Sequence, residues 1–185
     1  MKEKGPYKVL SSREIYKNPW ILVREDKVIH PGGKEGIFGI IEMTHGISVL
    51  PVNSEKEVFL IKEYRYGAEK EVLGLIGGTV ENADTELSTA KRELKEETGL
   101  EAKKWVKLGN FNAYENVVKS KKLPLYLALD LIQGEQSLDE NEILSVFKYP
   151  LSEAIEMVLN NSINSELSAL AILLAEKYFE NNPCS

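Results

Sequence analysis

The chain has 185 residues, a formal charge of −6, and an apolar fraction of 43% against 28% charged residues. That is the composition of a water-soluble globular protein with one full core and at most a small extension. An acidic chain is not built to coat nucleic acid, which wants a basic face, and no apolar run approaches the roughly 18 residues that span a bilayer.

Residues 20–30, "WILVREDKVIH", read as a strand, and "PGGKEG" is a strong turn signal. "IFGIIEMTHG" returns as a second strand, so residues 1–45 are expected to form a β extension, with a boundary near Gly46 and the main domain over 46–185. "GISVLPV" and "EVFLIKEYR" are two further strands, and "EVLGLIGG" is a short strand closing on two glycines. The stretch from Asp84 to Thr98 reads as a helix that Gly99 ends. Strands recur at "KWVKLGNFNAY", "LPLYLALDLI" and "ILSVFKYP", and two helical patterns close the chain. In the last of them Leu167, Leu170, Ala171, Leu174 and Tyr178 share one face, expected to pack in the core or against a second subunit. Strands on both sides of an isolated helix predict an α/β/α sandwich around a mixed sheet.

The unusual feature is "AKRELKEETGL", residues 90–100. At 100° per residue Leu87, Ala90 and Leu94 make an apolar stripe, and Glu86, Glu93 and Glu97 run along its flank with Glu96 at the edge. Like charges one turn apart destabilise a helix by a few tenths of a kcal/mol, and more where water is scarce. A hard divalent cation removes that conflict. Two histidines, His30 and His45, and the single Cys184 are too few for a zinc site of nitrogen and sulfur ligands. Carboxylates are plentiful, and they favour Mg²⁺ or Mn²⁺. Just upstream, Gly77-Gly78 lets the backbone turn and approach a ligand or metal closely. Read alone, these features also fit a tight turn and a solvated charged face with an Arg92–Glu96 pair.

Glycine turn, spacer, helix and "RELKEETGL" stand here in one order and at one spacing. Gly78, Arg92, Glu93, Leu94, Glu96, Glu97, Gly99 and Leu100 match the signature of the Nudix hydrolase superfamily with no insertion. One position departs: Asp84 stands where that family usually has glutamate. The resemblance implies the Nudix sandwich, hydrolysis of a nucleoside diphosphate linked to another group, and Mg²⁺, with Mn²⁺ able to substitute. It implies Glu93 and Glu97 as principal metal ligands, the Gly77 carbonyl as a third, Glu96 as ligand to a second metal, and Arg92 as the residue orienting the carboxylates.

"KEYRYGAEKEVLGLIGGTVE" and "NPWILVRED" are similar to the branch that cleaves ADP-ribose and other nucleoside diphosphate sugars. By that likeness Arg65 is a candidate diphosphate contact, against its plainer reading as a surface arginine. Trp20 is a candidate either to stack on a base or to pack a homodimer seam. The late acidic stretch "SLDENEIL" offers Glu142 as catalytic base, with Glu140 as rival, and "YENVVKSKK" offers Glu115 to the group beyond the diphosphate. Gly74, Ile76 and the absence of a proline near Ala113 depart from the ADP-ribose pattern and leave the sugar open. Two alternatives stand beside this one: a nucleoside triphosphate pyrophosphatase that cleans the nucleotide pool, and a Nudix-fold sensor without catalysis. The start, "MKEKGPYKVLSSREIY", has no apolar signal-peptide core, and with no internal disulfide possible the expected compartment is the cytoplasm.

Overall fold

Alternating apolar strands separated by turn residues fold here into two sheet-bearing units. The computed structural model describes residues 2–81, 83–112, 118–119, 123–138 and 143–183. One unit takes the described residues of 1–45 and 111–123, the other those of 46–110 and 124–185.

The first unit is built on β1 (Lys2–Lys4), β2 (Tyr7–Lys17), β3 (Ile21–Ile29) and β4 (Glu35–Met43), with the later β10 (Val118–Lys119) added parallel to β4. The extension is thus more than the hairpin expected from sequence. The β3–β4 hairpin is present, and Gly33 takes φ +84° in its turn, where the Gly33 N–H donates to the His30 carbonyl at 2.8 Å. Two strands precede it, and β2 gave no alternating signal because nearly all its residues are exposed. An ion-pair network ties the sheet together. Asp26 is buried and accepts hydrogen bonds from Lys4 at 2.8 Å, from Ser12 at 2.6 Å and from Arg24, which also reaches Glu42 at 3.0 Å. Burial pushes the Asp26 carboxyl up, but the bonds from Arg24, Lys4 and Ser12 outweigh it and hold the group well below the usual carboxylate range.

The second unit has two sheets. In one, β8 (Ile76–Thr79), β5 (Gly46–Pro51), β11 (Leu123–Gln133) and β9 (Leu100–Phe111) lie in that order. β5 runs antiparallel to β8 and parallel to β11, so the sheet is mixed. The other sheet orders β12 (Leu144–Pro150), β6 (Glu57–Arg65) and β7 (Lys70–Gly74), all antiparallel. The single strand expected over 71–78 is two strands in different sheets, divided at Leu75. Helix α1 (Glu86–Thr98) packs on β8 and β5. Helices α2 (Leu151–Leu159) and α3 (Glu166–Asn181) pack on each other, and α2 meets β6 and β12.

Ile47, Val49, Ile61, Ile76, Ala90, Leu94 and Leu100 form the core beneath α1. On α3 the buried face is Ser168, Ala171, Ile172, Ala175 and Phe179. The larger Leu167, Leu170 and Leu174 stand half-exposed beside it. Of the expected face Ala171 is buried, while Leu167, Leu170, Leu174 and Tyr178 border a stripe filled by Ile172 and Phe179 with the small Ser168 and Ala175.

Candidate active site

Helix α1 begins where its local sequence dictates. The Thr85 hydroxyl accepts from the Ser88 backbone N–H at 3.0 Å, and Ser88 Oγ accepts from the Thr85 N–H at 2.8 Å, a reciprocal cap. The helix ends at Gly99, whose φ of +70° is costly for any residue with a Cβ. Between these stops the apolar stripe of Ala90 and Leu94 is fully buried, which fixes the helix's rotation on the sheet.

That rotation carries Glu93 and Glu97 inward, to 8% and 6% exposure. Both meet the glycine pair at the end of β8. The Gly77 N–H donates to Glu97 Oε2 at 3.3 Å. A Cβ on Gly78 would stand 2.8 Å from Glu93 Oε2, and nearer still to Oε1 and Cδ. On Gly77 it would meet the Ile47 carbonyl oxygen at 2.5 Å. Both glycines are therefore required by close approach: one to the neighbouring strand's backbone, the other to a carboxylate.

Arg92 spans the acids. One amino group donates to Glu93 Oε1 at 2.7 Å, the other to Glu96 Oε2 at 2.7 Å, and Nε lies 3.9 Å from Asp84. Burial would lower the arginine's pKa, but the charge of Glu93 and the bonds to Glu96 leave it raised, so the guanidinium is a fixed cation. Among the described residues no three His, Cys, Asp or Glu side chains already converge as a metal cluster. With Arg92 between them, Glu93 and Glu96 point at the guanidinium. Even so, the donor set suits a hard cation, because two buried carboxylates face bare glycine backbone and only oxygen ligands are offered.

Glu86, expected on the flank with Glu93 and Glu97, is directed elsewhere: its Oε2 accepts from Lys107 Nζ at 2.6 Å and from the Tyr126 hydroxyl at 3.4 Å. It anchors the start of α1 to β9 and β11. The C-terminal end of α1 is held by a segment that sequence reading did not single out. Gly134 N–H donates to the Gly99 carbonyl at 2.7 Å, Gln136 Nε2 to the Glu97 carbonyl at 2.5 Å, and Ser137 N–H to the Glu96 carbonyl at 3.1 Å. A glycine followed by the polar Glu135, Gln136 and Ser137 is the signal the sequence gave for it.

Arg65 lies at the end of β6, exposed, with its guanidinium 2.6 Å from Glu63. Trp20, in the first unit, is 62% exposed and lines a cavity of about 220 Å³ with Asn18, Glu42 and Met43. Glu115, Glu140 and Glu142 lie outside the described residues.

Comparison with known proteins gives these features a family. The chain is 27% identical over 167 residues to the ADP-ribose pyrophosphatase of Bacillus subtilis (strain 168), covering 89% of this chain and 90% of that protein. It is 25% identical over 134 residues to the ADP compounds hydrolase NudE of Escherichia coli (strain K12), covering 72% of this chain and 71% of that one. It is also 25% identical over 167 residues to the methanol dehydrogenase activator of Bacillus methanolicus, covering 89% and 90%. A crystal structure of an ADP compounds hydrolase superposes with a TM-score of 0.83 over 98% of both chains, at 22% identity, a likeness of fold. Residues 7–41 match the nucleoside diphosphate sugar hydrolase N-terminal domain, and residues 43–169 match the NUDIX domain. The second of these spans well over half the chain and contains the glycine pair, Arg92 and all three glutamates, so the chain belongs to the Nudix hydrolase family.

Proposed function

We propose that this Nudix hydrolase cleaves the diphosphate bond of ADP-ribose or a related nucleoside diphosphate sugar, giving a nucleoside monophosphate and a sugar phosphate. The observation that carries the reading is the buried pair Glu93 and Glu97, packed against Gly77-Gly78, with Glu93 held by Arg92 and Glu97 by the Gly77 N–H. Two carboxylates kept nearly dry at a place where glycine bares the backbone serve little structural purpose, since burial raises their mutual repulsion. The names of the relatives and the sugar-nucleotide type of the N-terminal match support the substrate class.

Glu93, Glu97 and the Gly77 carbonyl would hold Mg²⁺, or Mn²⁺ in its place, and Glu96 would turn from Arg92 to a second ion. When bound, a divalent cation offsets the diphosphate charge and makes a water acidic enough to attack at neutral pH. The chain's own part is positional. Arg92 fixes the rotamer of Glu93 and keeps Glu96 near, while the capped helix and the 134–137 segment fix the backbone from which the glutamates project. Arg65 binds the diphosphate, Trp20 receives the base or closes a homodimer seam, and Glu115 meets the distal sugar. Glu142, with Glu140 as rival, accepts the proton of the attacking water. No helix among the described residues is long and apolar enough to cross a membrane. Together with the lack of any disulfide, this supports a cytoplasmic enzyme.

The test is product analysis over a panel of sugar nucleotides and nucleoside triphosphates, with Mg²⁺, with Mn²⁺ and with chelator. Metal-dependent AMP and ribose 5-phosphate from ADP-ribose support the proposal. Preference for triphosphates would move the enzyme to nucleotide-pool cleaning, and tight binding without turnover would make it a sensor.

A further inference from the structure

On the far flank of α1 the second unit carries a cavity of about 370 Å³ to which no role has been assigned. It is lined by Lys91, Arg92, Lys95, Glu101, Ala102 and Trp105. Three cations and one acid line it, and with Arg92 and Lys95 already paired to carboxylates the uncompensated charge of the wall is the one on Lys91. Lys95 is held by Glu101 at 2.7 Å and Arg92 by Glu93 and Glu96. Lys91 is exposed and makes no ion pair among the described residues, so one ammonium is left to a ligand. Lys91 and Lys95 are one helical turn apart and stack along the same wall. Across from them Trp105 is half-buried. Its indole N–H donates to the Ala102 carbonyl at 3.0 Å, so what the ring presents to the cavity is apolar surface. Tyr126 supports it in an edge-to-face contact at 6.2 Å.

A cationic wall facing a rigid aromatic surface suits a ligand with an anionic end and a flat aromatic end. The volume lies in the range of small-ligand pockets. We infer that this cavity is a second ligand site, separate from the glutamate cluster, which binds a nucleoside monophosphate with the phosphate on Lys91 and Arg92 and the base on Trp105. Arg92 is common to both sites, since the guanidinium that lines the cavity also holds Glu93 and Glu96. A phosphate there competes with the two carboxylates for the same N–H groups, and coupling of that kind acts in both directions.

The experiment reads binding without turnover, so its outcome is independent of which substrate the enzyme cleaves. The chain has two tryptophans, Trp20 and Trp105. In full-length protein carrying Trp20→Phe, Trp105 is the sole indole and its emission reports the cavity. Metal-free protein is titrated with AMP, adenosine and inorganic phosphate. The expected result is saturable quenching by AMP, clearly weaker binding of adenosine and of phosphate, and an affinity for AMP at least about tenfold lower when Lys91→Glu is added. Lys91 is exposed, so that change leaves the fold intact, checked by circular dichroism. No saturable response to AMP, a response unaltered by Lys91→Glu, or equal affinity for AMP and inorganic phosphate would each overturn the assignment.

Discussion

Replacing Gly78 by alanine separates the site from the fold. The new Cβ would lie 2.8 Å from Glu93 Oε2 and nearer to Oε1 and Cδ. An ordinary contact is about 3.5 Å, so even the farther oxygen must retreat by about 0.7 Å and the nearer one by more than about 1 Å. The atoms that give way are the far end of a flexible side chain, so the backbone can stay where it is. The stability cost is then the weakened bond from Arg92 to Glu93, about 1–2 kcal/mol, or roughly 2–8 °C in melting temperature for a chain of this length. Activity is expected to fall much further, because misplacing a reacting group by about 1 Å costs on the order of 100-fold. Gly77→Ala is the matched control. Its Cβ would meet the Ile47 carbonyl at 2.5 Å, which is backbone of the paired strand and cannot swing aside. Parting β5 from β8 should cost about 3 kcal/mol or more, close to the upper limit for overpacking, with a correspondingly larger drop in melting temperature. Thermal melts and AMP release from ADP-ribose, measured on both variants, test the argument. Gly78→Ala with near-normal turnover, or with a loss of stability equal to that of Gly77→Ala, would refute it.

Three further outcomes follow from the same geometry. Glu97→Gln keeps an oxygen to accept the Gly77 N–H, so its melting temperature should match the parent within a few degrees while kcat falls by about 100-fold or more. Gly99→Ala forces a Cβ into a left-handed conformation 2.8 Å from the Gln136 nitrogen, and a melt should show a loss of about 2 kcal/mol or more. Asp26→Asn leaves Lys4 and Arg24 facing a neutral amide and should cost about 3 kcal/mol. Because the folded Asp26 carboxyl sits below its unfolded value of about 3.9, its contribution is present above that pH and lost as pH falls through the folded value. Melts taken from pH 7 downward should therefore show a shallower acid decline in the variant than in the parent.

Helix α1 was legible because two local signals agree over a short span, an apolar stripe and a glycine stop. Its start was read one or two residues early, since Asp84 is as good a capping residue by type as Thr85 and only the fold chooses between them. The N-terminal sheet was half legible. β3 and β4 flank an unmistakable turn, whereas β2 carries "SSREIYK" with both faces exposed and so shows no period of two. The break at Leu75 was invisible because strands that change sheets keep the same apolar pattern. On α3 the large leucines drew attention away from Ser168, Ile172, Ala175 and Phe179, which are buried. In the site, sequence spacing put Glu86 with Glu93 and Glu97, but Lys107 and Tyr126 claim it from strands distant in sequence. For the same reason the segment at Gly134–Ser137 could not be read: its role lies in three hydrogen bonds to helix carbonyls, and carbonyls have no sequence signature.

The central claim is that water attacks a phosphorus of the diphosphate, and hydrolysis of ADP-ribose in ¹⁸O-water with Mg²⁺ tests it most directly. Mass spectrometry of the two phosphate-bearing products should find one label, carried wholly by the phosphate of either AMP or ribose 5-phosphate, with no reaction once chelator is added. Turnover that leaves both phosphates unlabelled would place the broken bond elsewhere and contradict the account.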